Sequence, residues 1–480
     1  MAKPFKKTKI ICTIGPISET KAIMSKLVDV GMNVVRLNFS HGDHEEHGKR
    51  IKTIREINEE KGTNVAILLD TKGPEIRTHQ FVSGDKPTVI TSGSKVKIYM
   101  NEVLGTSNKF SVTYPGLIDD VYIGNTILVD DGYLELTVID KGEDKEGKYI
   151  LTEAVNTHEV KNRRGINVPD ATLNMPFISE KDYSDIVYAC NEKIDFIAAS
   201  FVRRASDILE IKDILRENNG ERIQIIAKIE NHEGVENIEE ILEVCDGIMI
   251  ARGDLGVEVP HEEVPVIQKN IIRLCNEAGK IVVTATQMLE SMQNNPRPTR
   301  AEVSDVANAI LDGTDAVMLS GESAAGLYPV RAAETQAQIA IRMEDEIDHE
   351  LMINRAILTS PHTIESAIGL SVADSAADLG ASVIVAATMS GHTARLISKY
   401  RPSCPIIAVT PYPETARSLA LNWGVKPIVV VEVHSSEDLV KIAEKVAVDV
   451  AELEVGEIAI ITAGVAKQHT TNLMKIFEIK

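Results

Sequence analysis

The sequence predicts an α/β protein: a (β/α)8 TIM barrel with an inserted small β-barrel domain and a C-terminal open α/β domain. Short β-branched runs alternate with amphipathic helical stretches across the first two-thirds of the 480-residue chain. About eight strand–helix units close a TIM barrel. Because aromatic residues make up only 4% of the chain, the core must consist mainly of Ile, Val, Leu and Ala, which is typical of parallel sheets covered by helices.

The barrel strands are predicted from runs of branched aliphatic residues. They are Lys9–Ile14, Asn33–Asn38, Val65–Asp70, Asp195–Ser200, Gln224–Glu230, Gly247–Arg252, Lys280–Thr286 and Ala316–Ser320. The helical patterns between them are Glu19–Val30, Asp43–Glu60, Glu180–Asn191, Ser206–Asn218, Val235–Val244, Glu262–Ala278 and Arg300–Leu311. Glycines just past several of these helices, such as Gly62 and Gly279, indicate where the helices end.

Most of these strands end in polar or charged residues. The ends are Arg36–His41, Asp70–Lys72, Ser200, Lys228–Glu230, Arg252–Asp254, Thr284–Thr286 and Ser320–Glu322. Any one of them has an alternative interpretation as the N-cap of the following helix. Together they predict a site, because active sites of barrels are built from the C-terminal ends of the strands.

The third strand is not followed directly by a helix. From about Thr78 to Gly165 the chain has short alternating runs separated by Gly-containing turns, which indicate strands and hairpins. These runs are Lys95–Tyr99, Thr126–Val129, Tyr133–Ile139 and Tyr149–Thr152. We expect residues 78–165 to form an inserted β lid domain that closes over the barrel mouth and excludes water.

A second alternating region follows the barrel. The predicted strands there are Val383–Ala387, Ile406–Thr410, Ile428–Val431 and Glu457–Thr462, with helices between them. We therefore expect residues 1–77 and 166–346 to form the catalytic barrel, and 347–480 a C-terminal α/β regulatory domain.

Charge and cysteine content limit the classes of function. The formal net charge is −20 and the isoelectric point is about 5.1, so the surface repels nucleic acids. The five cysteines are scattered without metal-binding spacing, which favours a reducing compartment. No apolar run approaches the roughly 20 residues of a membrane helix, and Ile10-Ile11 is too short for a signal peptide. The sequence predicts a cytoplasmic protein without nucleic-acid or membrane partners.

Lys228 and Glu230 lie two residues apart, on the same face of one predicted strand. Glu230 and Asp254, from adjacent strands, could supply two carboxylates to Mg²⁺ (or Mn²⁺), which takes its remaining ligands from water and substrate. A general acid–base pair and a structural salt bridge are the alternatives. Arg36, two positions before Asn38, suits a phosphate group because its guanidinium can donate two hydrogen bonds in parallel.

Several segments resemble the signature blocks of pyruvate kinases. The resemblance runs from Thr8 into the C-terminal region, in the same order. Its blocks are Arg36–His41 (RLNFSH), Leu69–Arg77 (LDTKGPEIR), Ala227–Asn231 (AKIEN), Ala251–Gly256 (ARGDLG), Thr284–Leu289 (TATQML), Arg297–Asp305 (RPTRAEVSD) and Leu319–Ser323 (LSGES). It implies the substrates phosphoenolpyruvate and ADP (or ATP in reverse), the final step of glycolysis and a homotetramer.

The resemblance also implies roles for individual residues. Arg36 and Lys228 would hold the transferred phosphoryl group, and Lys228 would also face the enolate oxygen. Substrate binding would further use Gly253, Asp254 and Thr286, while Thr286, Ser320 and Glu322 would belong to the proton path. Mg²⁺ would bind Glu230 and Asp254; K⁺ would bind Asn38, Ser40, Asp70 and Thr71; ADP would contact Asn38, Arg77 and Arg164. Glu75 resembles the residue of members that need K⁺, since members independent of K⁺ tend to carry Lys there.

The C-terminal region holds a candidate effector loop, Thr388–Arg395. Its Ser390, His392 and Thr393, with Lys467 from a second loop, would hold the phosphate of a small effector; an N-capped helix is the alternative. The second loop has no glycine between Gly464 and Asn472. It therefore offers few flexible backbone amides, and we expect a weak response to fructose 1,6-bisphosphate.

Two other functions are compatible with parts of the pattern. A Mg²⁺-dependent aldolase or lyase barrel would use the same carboxylates, but its chemistry needs neither Arg77 nor the charged cluster around Asp70. A catalytically inactive paralogue kept as a binding protein would be expected to lose Lys228, Glu230 and Thr286, all of which are present.

Overall fold

The computed structural model describes residues 5–169, 171–431, 436–451, 453–464 and 470–480. Within them the strands are, in chain order, β1 Lys9–Thr13, β2 Val34–Asn38, β3 Ala66–Asp70, β4 Ile76–Arg77, β5 Thr88–Ile90, β6 Lys95–Tyr99, β7 Lys109–Ser111, β8 Thr126–Val129, β9 Leu134–Asp144, β10 Gly147–Ala154, β11 His158–Val160, β12 Gly165–Asn167, β13 Phe196–Ala199, β14 Gln224–Ile229, β15 Gly247–Ala251, β16 Ile281–Ala285, β17 Ala316–Leu319, β18 Val383–Ala387, β19 Ile406–Thr410, β20 Val425–Val429, β21 Ile458–Ala463 and β22 Leu473–Glu478.

Several of the α-helices begin at a polar side chain that caps them. Asp43, Ser179 and Thr299 each accept a hydrogen bond from a backbone amide in the first turn of the following helix. The helices are α1 Lys21–Asp29, α2 His44–Lys61, α3 Leu117–Asp120, α4 Glu180–Asn191, α5 Ala205–Glu217, α6 His232–Glu236, α7 Ile238–Val244, α8 Arg252–Glu258, α9 Val264–Ala278, α10 Arg300–Asp312, α11 Gly321–Ala324, α12 Pro329–Glu344, α13 His349–Thr359, α14 Ile364–Asp378, α15 His392–Lys399, α16 Pro413–Ser418 and α17 Ser436–Ala451, with a 3₁₀ turn at Glu290–Gln293. None of those described is long and apolar enough to cross a membrane.

Eight parallel strands form a closed barrel in the order β1-β17-β16-β15-β14-β13-β3-β2. All eight predicted runs are strands, so the TIM barrel prediction is confirmed. Most of the observed strands end one residue earlier than predicted, because the terminal polar residue of the run has left the ladder: Glu230, Arg252, Thr286 and Ser320 each follow a strand. These are the positions from which side chains reach a barrel mouth.

The insertion contains a seven-stranded sheet in the order β4-β12-β8-β9-β10-β6-β7, and β5 pairs with β11 beside it. Its two outer strands also meet. Thr78, just after β4, bridges Val112, just after β7, and the Thr113 amide donates to the Arg77 carbonyl at 2.9 Å. These contacts join the two ends of the sheet, as a small barrel requires. The sheet begins at Ile76 and ends at Asn167, slightly outside the predicted limits.

The C-terminal sheet has five strands in the order β20-β19-β18-β21-β22, and β22 is antiparallel to β21. Here the predicted strand Ile428–Val431 was misplaced, because β20 starts at Val425 and includes Pro427. Proline has no amide to donate, but β20 is an edge strand and needs ladder partners on one side only. The open α/β arrangement itself is confirmed.

The C-terminal region also contributes to the bottom of the barrel. Ala420 and Leu421, which follow α16, pack in one cluster with residues that fill the barrel interior, including Ile11, Met249 and Met318. Leu421 is completely buried. The Lys9 ammonium donates to the Val425 carbonyl at 2.6 Å beside this contact.

We expect Leu421→Ala to lower the free energy of unfolding by about 2–5 kcal/mol, because it leaves a cavity under the barrel. Guanidinium denaturation followed by circular dichroism measures the change. The control is Leu358→Ala, since Leu358 is 86% exposed and its loss should cost less than about 0.5 kcal/mol. Equal effects of the two substitutions would show that the contact contributes nothing.

Candidate active site

The C-terminal ends of the barrel strands bring together most of the predicted site. Arg36 is on β2, Asp70 ends β3 and Lys228 is on β14. The Arg36 Nε lies 2.6 Å from Asp70 Oδ2, and the Lys228 Nζ lies 3.1 Å from Asp70 Oδ1. One buried carboxylate therefore holds both cations in place.

Lys228 is in contact with two carboxylates and a hydroxyl. Its Nζ also lies 3.0 Å from Glu230 Oε1 and donates to Ser200 Oγ at 2.7 Å. Burial alone would lower the pKa of Lys228, but Asp70 and Glu230 outweigh it, so the pKa is raised and the ammonium stays charged. In the same way, burial would raise the pKa of Asp70, but Arg36 and Lys228 hold it below its usual value.

Glu230 and Asp254 suit a hard divalent cation. Burial raises the pKa of Glu230 to about 7; Lys228 opposes the shift and the negative charge of Asp254 adds to it. Two carboxylates that repel each other in this way gain from a cation between them. Among the described residues no group of three or more His, Cys, Asp or Glu side chains forms a metal site. The pair fits Mg²⁺, which binds one or two protein carboxylates and fills its shell with water and substrate oxygens.

The four predicted K⁺ ligands lie at the ends of two adjacent strands, β2 and β3. Asn38 and Asp70 are directly paired across β2 and β3, and Ser40 and Thr71 come just after them. Asn38 Oδ1 accepts the Ser40 amide at 3.0 Å, and Thr71 Oγ1 accepts the Ser200 amide at 3.1 Å. All four residues carry oxygen atoms, which is the donor type that alkali cations bind.

Gly253 and Thr286 are in direct contact. The Gly253 amide donates to Thr286 Oγ1 at 2.7 Å, and Thr286 has a positive φ of 66°, which is unusual for a β-branched residue. Arg252 supports this loop, because its guanidinium donates to the Thr286 carbonyl at 2.7 Å and pairs with both oxygens of Asp305. The Gly253 amide and the Thr286 hydroxyl are thus fixed next to each other.

Glu322 is buried, and both of its carboxylate oxygens accept backbone amides. The donors are Ser320 at 2.8 Å and Leu289 at 3.1 Å. Burial raises the pKa of the Glu322 carboxyl. Glu322 therefore ties the loop after β17 to the loop after β16, beside the half-buried Ser320.

A cavity of about 670 Å³ separates the mouth from the lid. Glu75, Arg77, Asp131, Arg164 and Asp254 are among the residues that line it. Arg77 Nε lies 2.7 Å from Glu75 Oε2. Burial, Asp130 and Asp254 together raise the pKa of Asp131. Asp131, from the lid, and Asp254, from the barrel, line the same cavity. The buried charge cluster of Arg36, Asp70, Lys228 and Glu230 lies outside its lining.

The effector residues lie in the C-terminal region, far along the chain from the mouth. Thr393 is buried on α15, and its Oγ1 lies 2.9 Å from Thr471 Oγ1, so the two predicted loops meet. The Ser390 carbonyl accepts from Arg395 at 2.6 Å, and His392 Nε2 lies 3.1 Å from Glu365 Oε2. Lys467 falls outside the described residues.

Two residues of the site were not identified from sequence. The Thr13 hydroxyl accepts from Arg36 Nη1 at 2.9 Å, and Asp305 holds Arg252 from α10. Thr13 ends the first strand, so the rule that strand ends carry the site would have included it. Asp305 lies inside a helix, and its contact arises only from the packing of α10 against the barrel.

Comparisons with known proteins agree along nearly the whole chain. Residues 5–333 match the family model "Pyruvate kinase, barrel domain", and residues 366–477 match "Pyruvate kinase, alpha/beta domain". The pyruvate kinase of Geobacillus stearothermophilus is 55% identical over 476 residues, which is 99% of this chain and 80% of that protein. That of Bacillus licheniformis is 53% identical over 475 residues, with the same coverage of 99% and 80%.

A solved structure agrees as well. The crystal structure of a pyruvate kinase from Cryptosporidium parvum superposes with a TM-score of 0.94 at 44% identity and covers 99% of this chain and 96% of that one. The fold, the order of the sequence blocks and the full-length similarity lead to one assignment. The chain belongs to the pyruvate kinase family of phosphotransferases.

Proposed function

We propose that this protein transfers the phosphoryl group of phosphoenolpyruvate to ADP, giving pyruvate and ATP in the last step of glycolysis, with Mg²⁺ (or Mn²⁺) and K⁺ as cofactors. The observation that carries the proposal is the buried group Arg36–Asp70–Lys228–Glu230 at the barrel mouth. It fixes two cations against two buried carboxylates, and the nearby Asp254 lines the cavity under the lid. Phosphoryl transfer needs little more than such positioning and charge.

Arg36 and Lys228 bind the transferred phosphoryl group in this proposal. Both are held by Asp70 before any substrate arrives, so little reorganisation is needed when charge develops on the enolate oxygen. Glu230 and Asp254 would hold the divalent ion, which when bound supplies positive charge to the substrate oxygens and the leaving enolate.

The substrate carboxylate would lie against Gly253 and Thr286. A Cβ built on Gly253 would be 3.6 Å from Thr286 and would meet nothing closer, so the protein's own packing does not require glycine there. Thr286 would border the face of the enolate that receives a proton, and Ser320 would belong to the proton path. Glu322 would act in that path by orienting the two loops, since both of its oxygens are occupied by amides.

K⁺ would bind among Asn38, Ser40, Asp70 and Thr71, and ADP would contact Asn38, Arg77 and Arg164 from the cavity. The positive ion would balance Asp70 and Glu75 next to the negative phosphates. We further propose the domain limits 1–77 with 166–346, 78–165 and 347–480, a homotetramer, and a cytoplasmic location.

A small phosphorylated effector is proposed to bind at Ser390, His392, Thr393 and Lys467. The contact of Thr393 with Thr471 supports a shared site, because it brings the two loops together at the start of α15. The imidazole of His392 is already close to Glu365, which favours weak binding of an anion.

The first prediction is an absolute requirement for Mg²⁺ or Mn²⁺. Glu230→Gln and Asp254→Asn should each lose most activity in an assay coupled to lactate dehydrogenase, because each removes one of the two charged ligands proposed for the ion. The control is Glu236→Gln, which makes the same charge change at the rim of the cavity, on a side chain that is 66% exposed. Activity without metal near the metal-saturated rate would contradict the prediction.

The second prediction concerns Lys228. Lys228→Met should lower kcat by about 10²–10³ and change KM for phosphoenolpyruvate much less. The reason is that the Lys228 charge stabilises the negative charge that develops during transfer. Circular dichroism must show a folded protein, since the change leaves Asp70 and Glu230 without their shared cation. Lys228→Arg keeps the charge and should retain more activity. A change in KM alone would make Lys228 only a binding residue.

The third prediction concerns K⁺. The unmodified protein should be activated by K⁺, and Glu75→Lys should reduce that dependence, because it places a positive charge beside Arg77 and the proposed cation site. Initial rates in K⁺ and in a large organic cation measure this. Glu159→Lys, which makes the same change at an exposed position of the lid, should keep the K⁺ dependence. Equal rates in both cations for the unmodified protein would refute the prediction.

A further inference from the structure

The turn after β13 contacts three of the four groups in the buried charge cluster, namely Asp70, Lys228 and Glu230. This turn is Ser200–Phe201. Ser200 Oγ lies 2.7 Å from Lys228 Nζ, 3.1 Å from Asp70 Oδ1 and 2.7 Å from the Thr71 carbonyl. The Phe201 amide donates to Glu230 Oε2 at 2.6 Å. The proposed function assigns no role to either residue.

The hydroxyl of Ser200 can accept one hydrogen bond from Lys228 and donate only one of its own. The shorter distance favours donation to the Thr71 carbonyl over Asp70. In this arrangement Ser200 holds the Lys228 ammonium from a position next to Asp70, since its Oγ is within 3.1 Å of both groups. It also ties that ammonium to the backbone of the segment that carries the proposed K⁺ ligands.

The backbone at this turn is held in an unusual conformation. Phe201 has a φ of 56°, a left-handed value that costs free energy for a bulky residue. Close packing maintains it: a Cβ on Gly73 would lie 2.8 Å from the Ser200 carbonyl oxygen and 3.1 Å from the Phe201 ring. With this conformation the Phe201 amide reaches Glu230.

We infer that Ser200 is a positioning residue of the phosphoryl transfer: through its hydroxyl it sets where the Lys228 ammonium lies and couples that position to the Asp70–Thr71 segment. The inference rests on the proposed function, since it assumes that Lys228 faces the transferred group. Ser200 itself lies under Lys228 and touches no substrate in this arrangement, because it is 2% exposed.

The test is a comparison of Ser200→Ala and Ser200→Cys with the unmodified protein. Loss of a hydrogen bond to a charged group should lower kcat by about 10-fold to 100-fold in Ser200→Ala. The thiol of Ser200→Cys is a weaker partner of similar shape, so it should lose less. KM for phosphoenolpyruvate should change by less than about threefold, whereas the K⁺ concentration for half-maximal activation should rise.

The matched control is Ser111→Ala. Ser111 is fully buried in the lid and its hydroxyl contacts the Val103 amide at 2.9 Å, so its removal also costs stability. It should leave kcat and the K⁺ response unchanged. Rates are divided by the folded fraction from thermal unfolding, which separates positioning from loss of folded protein.

The outcomes are distinct. Absence of activity in the unmodified protein would overturn the proposed function itself. An active protein in which Ser200→Ala matches Ser111→Ala in kcat and in K⁺ response would overturn the role of Ser200 alone. A loss of kcat in Ser200→Ala that disappears once rates are divided by the folded fraction would also overturn the role of Ser200.

Discussion

The burial of one ammonium group between two carboxylates is the constraint on which the barrel mouth depends. Lys228 lies within 3.1 Å of both Asp70 and Glu230, and the carboxylates are 1% exposed. Removing Lys228 takes the ion pair from Glu230, and removing Asp70 takes the ion pair from Arg36. Either loss leaves a buried charge unpaired, which costs several kcal/mol. The cluster therefore links the ends of β3 and β14, two strands that are separated by β13 in the barrel and share no ladder.

The cluster carries more negative than positive groups at one side. Asp70 is shared by Arg36 and Lys228, but Glu230 has Lys228 alone and faces Asp254. Burial raises the pKa of Glu230, and the charge of Asp254 adds to the shift. The side chains leave this part of the site with excess negative charge, which a bound cation would balance. The arrangement of charges therefore favours a cationic ligand.

The barrel was predictable from sequence because its signal is local. Each strand is a run of branched residues, and several helices begin at a capping side chain; Asp43 and Thr299 lie directly before the helices they cap. The gathering of charged side chains at one end of the barrel was predictable because the strand ends of a closed barrel meet. The sequence did not predict the ion-pair or hydrogen-bond partner of each charged group. Asp70, expected beside K⁺, also binds Arg36 and Lys228, and Glu322, expected in the proton path, holds two backbone amides. Those contacts depend on side-chain directions after packing.

The inserted lid enters and leaves the barrel through neighbouring strands. Its first strand, β4, pairs antiparallel with its last, β12, so that Ile76 lies opposite Ile166. The two crossing points are thus side by side, and the eight barrel strands close without any hydrogen bond from the insertion. An insertion whose two ends lie side by side leaves the strand order of the host fold unchanged. This segment can therefore diverge, lengthen or be exchanged between relatives while the scaffold beneath it keeps its register, which separates the evolution of substrate access from the evolution of the chemistry.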